Sequence, residues 1–176
     1  YCKDEEVTFN YISSSLVYGT SLTLPAKETS ICHPKDFYSI TKKCAEDLLV
    51  SFSETYKINY RIIRLCNVLG RGDKKVSNRK NGLTWMVNKL KMNERIELYD
   101  KGEQTREVIH VFDACKAIEL ICQKGRLNQI YNVGSGEIIK IKCFINDAKE
   151  KLNSKSKIIY IDTPKSQPEV QNKQFF

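Results

Sequence analysis

The sequence lacks long hydrophobic runs, paired cysteines and clustered histidines, and each absence narrows the expected class of protein. Its apolar runs are far shorter than the roughly 20 residues of a membrane-spanning helix, and no basic-then-apolar leader follows Tyr1, so neither a membrane segment nor a signal peptide is expected. The seven cysteines form no C-x-x-C pair, which favours reduced, buried thiols in a cytoplasmic protein. The two histidines lie far apart, so we expect no zinc site.

The chain is long enough, and has enough hydrophobic residues, to form a folded core. It has 176 residues, of which 41% are hydrophobic and 28% charged, and its net charge is +8. Such a charge could attract nucleic acid, but no basic face with interleaved aromatic residues is visible, so we expect no nucleic-acid partner. One local basic group is interpreted either as a solvated loop or as a loop facing a phosphorylated ligand: Lys74, Lys75, Arg79 and Lys80.

Apolar periodicity predicts strands that alternate with helices. The predicted strands cover 7–13, 60–66, 96–99, 108–111, 129–133 and 157–161. The predicted helices cover 36–56, 83–93, 113–124 and 142–152, and the tail from Pro164 has no pattern. This alternation predicts the α/β class with a mostly parallel sheet.

The sharpest chemical signal is Tyr38-x-x-x-Lys42 on the first predicted helix. Four residues make about one helical turn, so both side chains are expected on one face. A free tyrosine has a pKa of about 10 and is a poor base at neutral pH, whereas a neighbouring ammonium favours the phenolate. A solvated helix face would carry the same residues, so the pattern alone leaves that alternative open.

Upstream, Ser13, Ser14 and Ser15 stand where the first predicted strand ends. Ligands of open α/β sheets bind at the carboxyl ends of strands, where hydroxyl groups can hydrogen-bond a substrate oxygen. A serine-rich turn with no further role is the alternative interpretation.

Five segments occur together: YISSSLVYG (11–19), YSITK (38–42), RLCNVLGRGD (64–73), TREVIHVFD (105–113) and IYNVGSGE (130–137). In these segments the chain resembles the extended short-chain dehydrogenase/reductase superfamily, in particular the NAD-dependent sugar-nucleotide epimerases and dehydratases. The resemblance implies a partial Rossmann-like, doubly wound parallel sheet of the α/β class, with a small interleaved substrate-binding part. It also implies NAD as cofactor, with NADP left open, and a nucleotide-diphosphate sugar as substrate.

The resemblance assigns roles to single residues. Tyr38 would be the acid/base that takes a sugar hydroxyl proton, and Lys42 would bind the cofactor ribose and favour the phenolate. Ser14 matches the catalytic Ser/Thr position and would also contact the substrate, although its serine neighbours leave this placement open. Ser13 and Cys66 would lie at the cofactor.

Two further residues would contact the nucleotide diphosphate of the substrate: Asn67 and Arg106. Arginine suits phosphate because its planar donors match the phosphate oxygens. Asn67 could instead cap a turn, and Arg106 could pair with Glu107 or another carboxylate at the surface.

The sequence departs from the family where the cofactor pyrophosphate should bind. The glycine-rich G-x-x-G-x-x-G turn and the acidic residue for the adenosine ribose are absent, so we expect a fragment that binds NAD weakly and is inactive alone. Four segments are predicted. Residues 1–68 would be the second half of the dinucleotide-binding domain, 69–105 a substrate-binding segment, 106–135 a return to the dinucleotide-binding sheet, and 136–176 an incomplete substrate-binding segment.

The reaction type is read from the residues after Ser14. Dehydratases of the family carry acidic side chains there, whereas this chain has Ser15 and Leu16, which favours an epimerase that removes and returns a hydride. A nucleotide-sugar reductase or dehydratase, or a catalytically silent binding protein of the same fold, remain alternatives. The Tyr-bearing helix forms a dimer interface in many relatives, which implies a homodimer by analogy.

Overall fold

The computed structural model describes residues 7–19, 24–72 and 82–162. In these residues the strands are, in chain order, β1 Phe9–Ser14, β2 Tyr60–Leu65, β3 Asn67–Leu69, β4 Ile96–Tyr99, β5 Thr105–His110, β6 Gln129–Val133, β7 Ile138–Lys140 and β8 Ile158–Ile161. The α-helices are α1 Phe37–Tyr56, α2 Gly82–Lys91, α3 Val111–Lys124 and α4 Ile141–Lys151. The basic group at 74–80 and the tail from 164 lie outside the described residues.

Two compact units divide the chain. In the described residues, the first contains 7–68 and 109–136, and the second contains 69–108 and 137–162. The chain therefore passes between the units after residues 68, 108 and 136. The roles assigned to the four predicted segments stay predictions.

The first unit is built on a parallel sheet with the strand order β1-β2-β6. Ser14 pairs with Leu65, and Leu65 pairs with Val133, so the three strands end at one edge. α1 packs against β1 and β2, whereas α3 packs against β2 and β6. Because neighbouring side chains of a strand point to opposite faces, Arg64 meets α1 while Arg61 reaches the end of α3. The sheet is thus covered on both faces, as the doubly wound α/β expectation requires.

Local signals in the sequence explain where α1 begins and ends. Asp36 caps it, accepting from the Ser39 amide while the Ser39 hydroxyl closes the reciprocal capping box. No glycine or proline interrupts it, and Lys57 ends it in the left-handed conformation at φ 57°.

The two faces of α1 reverse the usual distribution of polarity. Its buried positions, two turns apart, are all polar: Ser39, Glu46 and Ser53. The other side carries exposed apolar side chains, which we call the outer face of α1: Phe37, Ile40, Leu48 and Phe52. The fully buried positions of α1 therefore make polar contacts. Ala45, Leu49 and Val50 are half-buried, and the largest apolar side chains of the helix are at the surface.

The second unit has a small apolar core of its own between helices and strands. β4 pairs in parallel with β8, and β5 pairs antiparallel with β7. The core consists of Leu83, Leu90, Ile96, Leu98, Ile141 and Ile145. β3 and β7 were not predicted, because three residues are too short to show an alternating pattern.

The predicted helices and strands are confirmed in type, with ends that shift by up to three residues, whereas the prediction of buried thiols is wrong in part. Cys66 is buried, but Cys44, Cys115 and Cys143 are exposed, because they occupy helix positions that face away from the strands. None of the helices in the described residues is both long enough and apolar enough to cross a membrane.

Candidate active site

Tyr38 and Lys42 face the same side of α1, as their spacing predicts. The Lys42 Nζ lies 5.9 Å from the centre of the Tyr38 ring and 5.0 Å from that of Tyr11 on β1. It also donates a hydrogen bond to the Ile12 carbonyl oxygen at 2.8 Å. The Tyr38 side chain is 49% exposed, so its hydroxyl is accessible to a substrate. The ammonium thus bridges the helix and the strand that leads to Ser14.

Ser14 closes β1 at the carboxyl edge of the sheet. Its Oγ accepts from the Leu16 amide at 3.2 Å and caps a 3-10 turn over Ser15–Tyr18. Only 8% of Ser14 is exposed, and Ser15 is buried. Ser13 is also buried, and its hydroxyl donates to Glu46 Oε1 at 2.5 Å. Of the three serines, Ser13 is therefore bound to the helix that carries Tyr38.

Gly19 follows this turn and can only be glycine there. Its φ is +55°, and a Cβ would stand 1.7 Å from the carbonyl oxygen of His33. The two residues form a parallel bridge, and the His33 amide donates to Tyr18. The missing side chain lets the segment that precedes α1 pack directly on the serine-bearing turn.

A buried ion pair between Glu46 and Arg64 lies beneath the site, and sequence reasoning missed it. Arg64 donates from Nε to Oε1 at 3.0 Å and from Nη2 to Oε2 at 2.6 Å, and both side chains are at most 3% exposed. Burial disfavours the Arg64 charge, but the bonds to Glu46 outweigh this and keep the pKa of Arg64 above its ordinary value. The sequence offered one sign of this ion pair, which is that Glu46 follows Lys42 by one helical turn.

Arg64 also connects to the Tyr18 side of the site. Its Nη1 donates to the Tyr18 hydroxyl at 2.8 Å, and that hydroxyl donates to Asn132 Oδ1 at 2.7 Å. Asn132 Nδ2 in turn donates to the Ala26 carbonyl oxygen. Burial raises the pKa of the Tyr18 phenol, although the hydrogen bond from Arg64 opposes the rise. The network joins side chains from β1, α1, β2, β6 and the 3-10 turn.

Cys66 and Asn67 follow β2 at the same edge of the sheet. The Cys66 amide donates to the Val133 carbonyl oxygen at 3.0 Å, and its side chain packs in the apolar core beneath α3. Asn67 is half-buried at the start of β3. The structure thus brings Ser14 and Cys66 to one edge, beside the loop that begins at Gly134.

Arg106 belongs to the second unit, on β5. Its Nη1 donates to the Thr105 carbonyl oxygen at 2.7 Å, and burial lowers the pKa of the guanidinium. Glu107 is fully buried and, as the next strand residue, points to the opposite face. Glu107 therefore does not stand at the surface, where the alternative pairing with Arg106 had been expected.

In the part of the chain that the structure describes, no group of three or more His, Cys, Asp and Glu side chains could hold a metal ion. The candidate groups are a phenol and an ammonium on α1 and serine hydroxyls at the end of β1. Such groups move protons and hydrogen-bond hydroxyl oxygens, which is the chemistry of a site that oxidises or reduces an alcohol carbon.

Comparison with known proteins gives one family and a consistent set of relatives. Residues 1–134 match the model of the NAD dependent epimerase/dehydratase family. The chain is 31% identical over 129 residues to a dTDP-D-glucose 4,6-dehydratase of Homo sapiens, covering 72% of this chain and 35% of that protein. It is 28% identical over 154 residues to a putative UDP-glucose 4-epimerase of Methanocaldococcus jannaschii, covering 87% and 49%.

A solved structure agrees with these relatives. The UDP-N-acetylglucosamine 4-epimerase of Methanobrevibacter ruminantium M1, in complex with UDP-N-acetylmuramic acid, superposes with a TM-score of 0.82 at 25% identity. The match covers 99% of this chain and 56% of that one. The chain spans roughly a third to a half of the length of the curated relatives it matches.

Proposed function

The chain belongs to the NAD dependent epimerase/dehydratase family, and on that premise we propose that it carries the acid/base residues of a nucleotide-sugar epimerase. The observation that carries the proposal is the Lys42 ammonium. It lies beside the Tyr38 ring and is bonded to the strand that ends at Ser14. This contact supports the proposal because the three proposed catalytic residues belong to β1 and α1, which pack against each other.

In the proposed reaction Tyr38 takes the proton of a sugar hydroxyl and later returns it. NAD, or NADP, would supply the redox chemistry, by accepting the hydride of the carbon that bears this hydroxyl and returning it to either face of that carbon. The Lys42 ammonium would favour the phenolate of Tyr38 and hydrogen-bond the cofactor ribose, and Ser14 would hold the substrate oxygen. The site fits such a cofactor in part, because a cation and the carboxyl edge of a parallel sheet are present.

The cofactor and substrate contacts of four further residues extend the proposal. Ser13 and Cys66 would lie along the cofactor, with the Ser13 hydroxyl already anchored to Glu46. Asn67 would hydrogen-bond the nucleotide diphosphate of the substrate. Arg106 would bind phosphate oxygens, because the planar donors of a guanidinium match them.

Epimerisation is preferred to dehydration because of the two residues that come directly after Ser14. These are Ser15, which is buried, and Leu16, so no carboxylate stands there to move the protons of an elimination. A reductase of a keto sugar shares the same residues and is the second candidate. A catalytically silent binding protein is the third.

We further propose a cytoplasmic homodimer that uses the outer face of α1. Four exposed apolar side chains on one side of the helix form a surface that a second copy could cover. The free thiols of Cys32, Cys44, Cys115, Cys122 and Cys143 support the reducing compartment.

Product analysis tests the proposed reaction. The full-length protein is incubated with NAD and, separately, with UDP-, dTDP- and GDP-sugars, and the products are identified by NMR. We expect a 4-epimer. A 4-keto-6-deoxy sugar would instead assign a dehydratase, net oxidation of NADPH with a keto sugar would assign a reductase, and no product with any sugar would favour the silent binder.

A further inference from the structure

We infer that Glu46 is a positioning residue that sets the distance between Ser14 and the Tyr38–Lys42 pair, an inference that rests on the proposed function. Its carboxylate is the meeting point of three elements. It accepts from Ser13 on β1 and from Arg64 on β2, while its own backbone belongs to α1.

The chain positions of these residues make the contact relevant to the site. Ser13 immediately precedes Ser14, so a bond to the Ser13 hydroxyl fixes the end of β1. Glu46 follows Lys42 by one helical turn and Tyr38 by two, so the same bond fixes the helix. A shift of the carboxylate would therefore change the separation of the two halves of the proposed acid/base machinery.

Stability alone does not explain a charged pair at this place. Two charges at most 3% exposed lose their hydration, and well-packed apolar residues at such positions often stabilise a protein equally well. Both oxygens of Glu46 are occupied, Oε1 by two donors, which defines direction as well as distance. The arrangement therefore specifies a geometry, which the active site uses.

Arg64 extends the same restraint to the turn after Ser14. Through the Tyr18 hydroxyl it reaches Asn132, and through Nη1 it also approaches the Glu28 carbonyl oxygen at 3.4 Å. Tyr18 ends the turn that Ser14 caps, so the turn is held at both of its ends.

Paired double variants separate positioning from folding. Glu46→Leu with Arg64→Met removes both charges and leaves the Ser13 hydroxyl without its acceptor. Glu46→Gln with Arg64→Met also removes both charges but keeps a carbonyl oxygen for Ser13. Thermal unfolding, kcat and KM are measured for both in the full-length protein, beside wild type and Tyr38→Phe. Glu46→Met with Arg64→Leu replaces the first variant if it does not fold.

We expect both double variants to fold. Because a misplacement of about 1 Å can cost on the order of a hundredfold in rate, kcat should fall about 10- to 100-fold in Glu46→Leu/Arg64→Met at nearly constant KM. In Glu46→Gln/Arg64→Met, which keeps an acceptor for Ser13 but loses the restraint from Arg64, kcat should fall several-fold less, and the difference between the two variants measures the contact of Ser13 with residue 46. Wild-type kcat in the folded Glu46→Leu/Arg64→Met protein would overturn the inference.

Crystal structures of the two double variants test the positioning role of Glu46 even if no turnover is detected. The separation of Ser14 Oγ and Tyr38 Oη should change more in Glu46→Leu/Arg64→Met than in Glu46→Gln/Arg64→Met, which keeps an acceptor for Ser13. An unchanged separation in both would overturn the positioning role. A wild-type protein that turns over no nucleotide sugar would instead refute the proposed function, and the two failures are thereby distinguished.

Discussion

At the scale of single residues, Lys42 has its position fixed from two sides. Its ammonium donates to the Ile12 carbonyl oxygen and lies near the rings of Tyr11 and Tyr38. A cation over an aromatic face is attracted by about 0.5–1 kcal/mol at an exposed site. Tyr11 therefore contributes to the site through its ring, and its hydroxyl is not needed for that.

Replacing Tyr11 tests this role of the ring. Tyr11→Leu should weaken NAD binding or turnover in the full-length protein by about two- to fivefold, which corresponds to a cation–π contact of 0.5–1 kcal/mol. Tyr11→Phe is the matched control, because it keeps the ring face and removes only the hydroxyl. Cofactor titration and steady-state kinetics provide the readout, and equal losses in both variants would refute a role of the ring.

The spacing of Tyr38 and Lys42 sufficed to predict that they share a face, because helix geometry is local. The partner of Ser13 could not be predicted in that way. Glu46 is 33 residues away in the chain, and its pairing depends on how α1 packs against β1 and β2. Contacts of that range are decided by tertiary packing, which a sequence pattern does not contain.

At the scale of elements, α1 shows what periodicity can and cannot establish. The spacing of Phe37, Leu48 and Phe52 correctly predicted a helix, since it repeats with the helical period. It could not reveal that these side chains lie outside while Glu46 lies inside. An amphipathic pattern ordinarily places its apolar side in the core, whereas the largest apolar side chains of this helix are exposed.

The outer face of α1 yields a prediction about assembly. Leu48→Asp, at a side chain that is 57% exposed, should shift the proposed dimer toward monomer, because a buried charge without a partner opposes association. Leu120→Asp on α3 is the control, since Leu120 is exposed to a similar extent, 55%, on another helix. Sedimentation velocity measures the change. A wild-type protein that is already monomeric would contradict the proposed dimer.

At the scale of the whole molecule, the two units are assembled from alternating stretches of the chain. Residues 69–108 belong to the second unit. The chain then returns to the first unit with α3 and β6, and residues 137–162 belong to the second unit again. The resemblance predicted this interleaving, because five motifs in order carry the topology of the family. Composition and periodicity alone predicted only the alternation of strands and helices, since neither states which strands pair.

Buried tyrosines predict how the stability of the molecule depends on pH. Burial raises the pKa of Tyr18, and also of Tyr11 and Tyr60, above that of an unfolded phenol near 10. The folded state therefore holds these protons more tightly, so its stability is fully present below about pH 10 and is lost as the pH rises further.

The slope above pH 10 identifies the contribution of Tyr18. Denaturant unfolding between pH 9 and pH 11.5 should show a falling free energy of unfolding for wild type. Tyr18→Phe should make the fall shallower by up to about 1.4 kcal/mol per pH unit, the effect of one proton, while lowering stability at every pH through lost hydrogen bonds. An identical slope in both proteins would contradict the assignment.

The most direct test of the catalytic account compares two tyrosines of α1 in the full-length protein with NAD and its nucleotide sugar. Tyr38→Phe removes the phenol proposed as acid/base, and turnover should fall by about a hundredfold or more with the fold intact. Tyr56→Phe removes a phenol of similar exposure from the other end of the helix and should keep wild-type kcat. Wild-type turnover by a folded Tyr38→Phe protein would contradict the account.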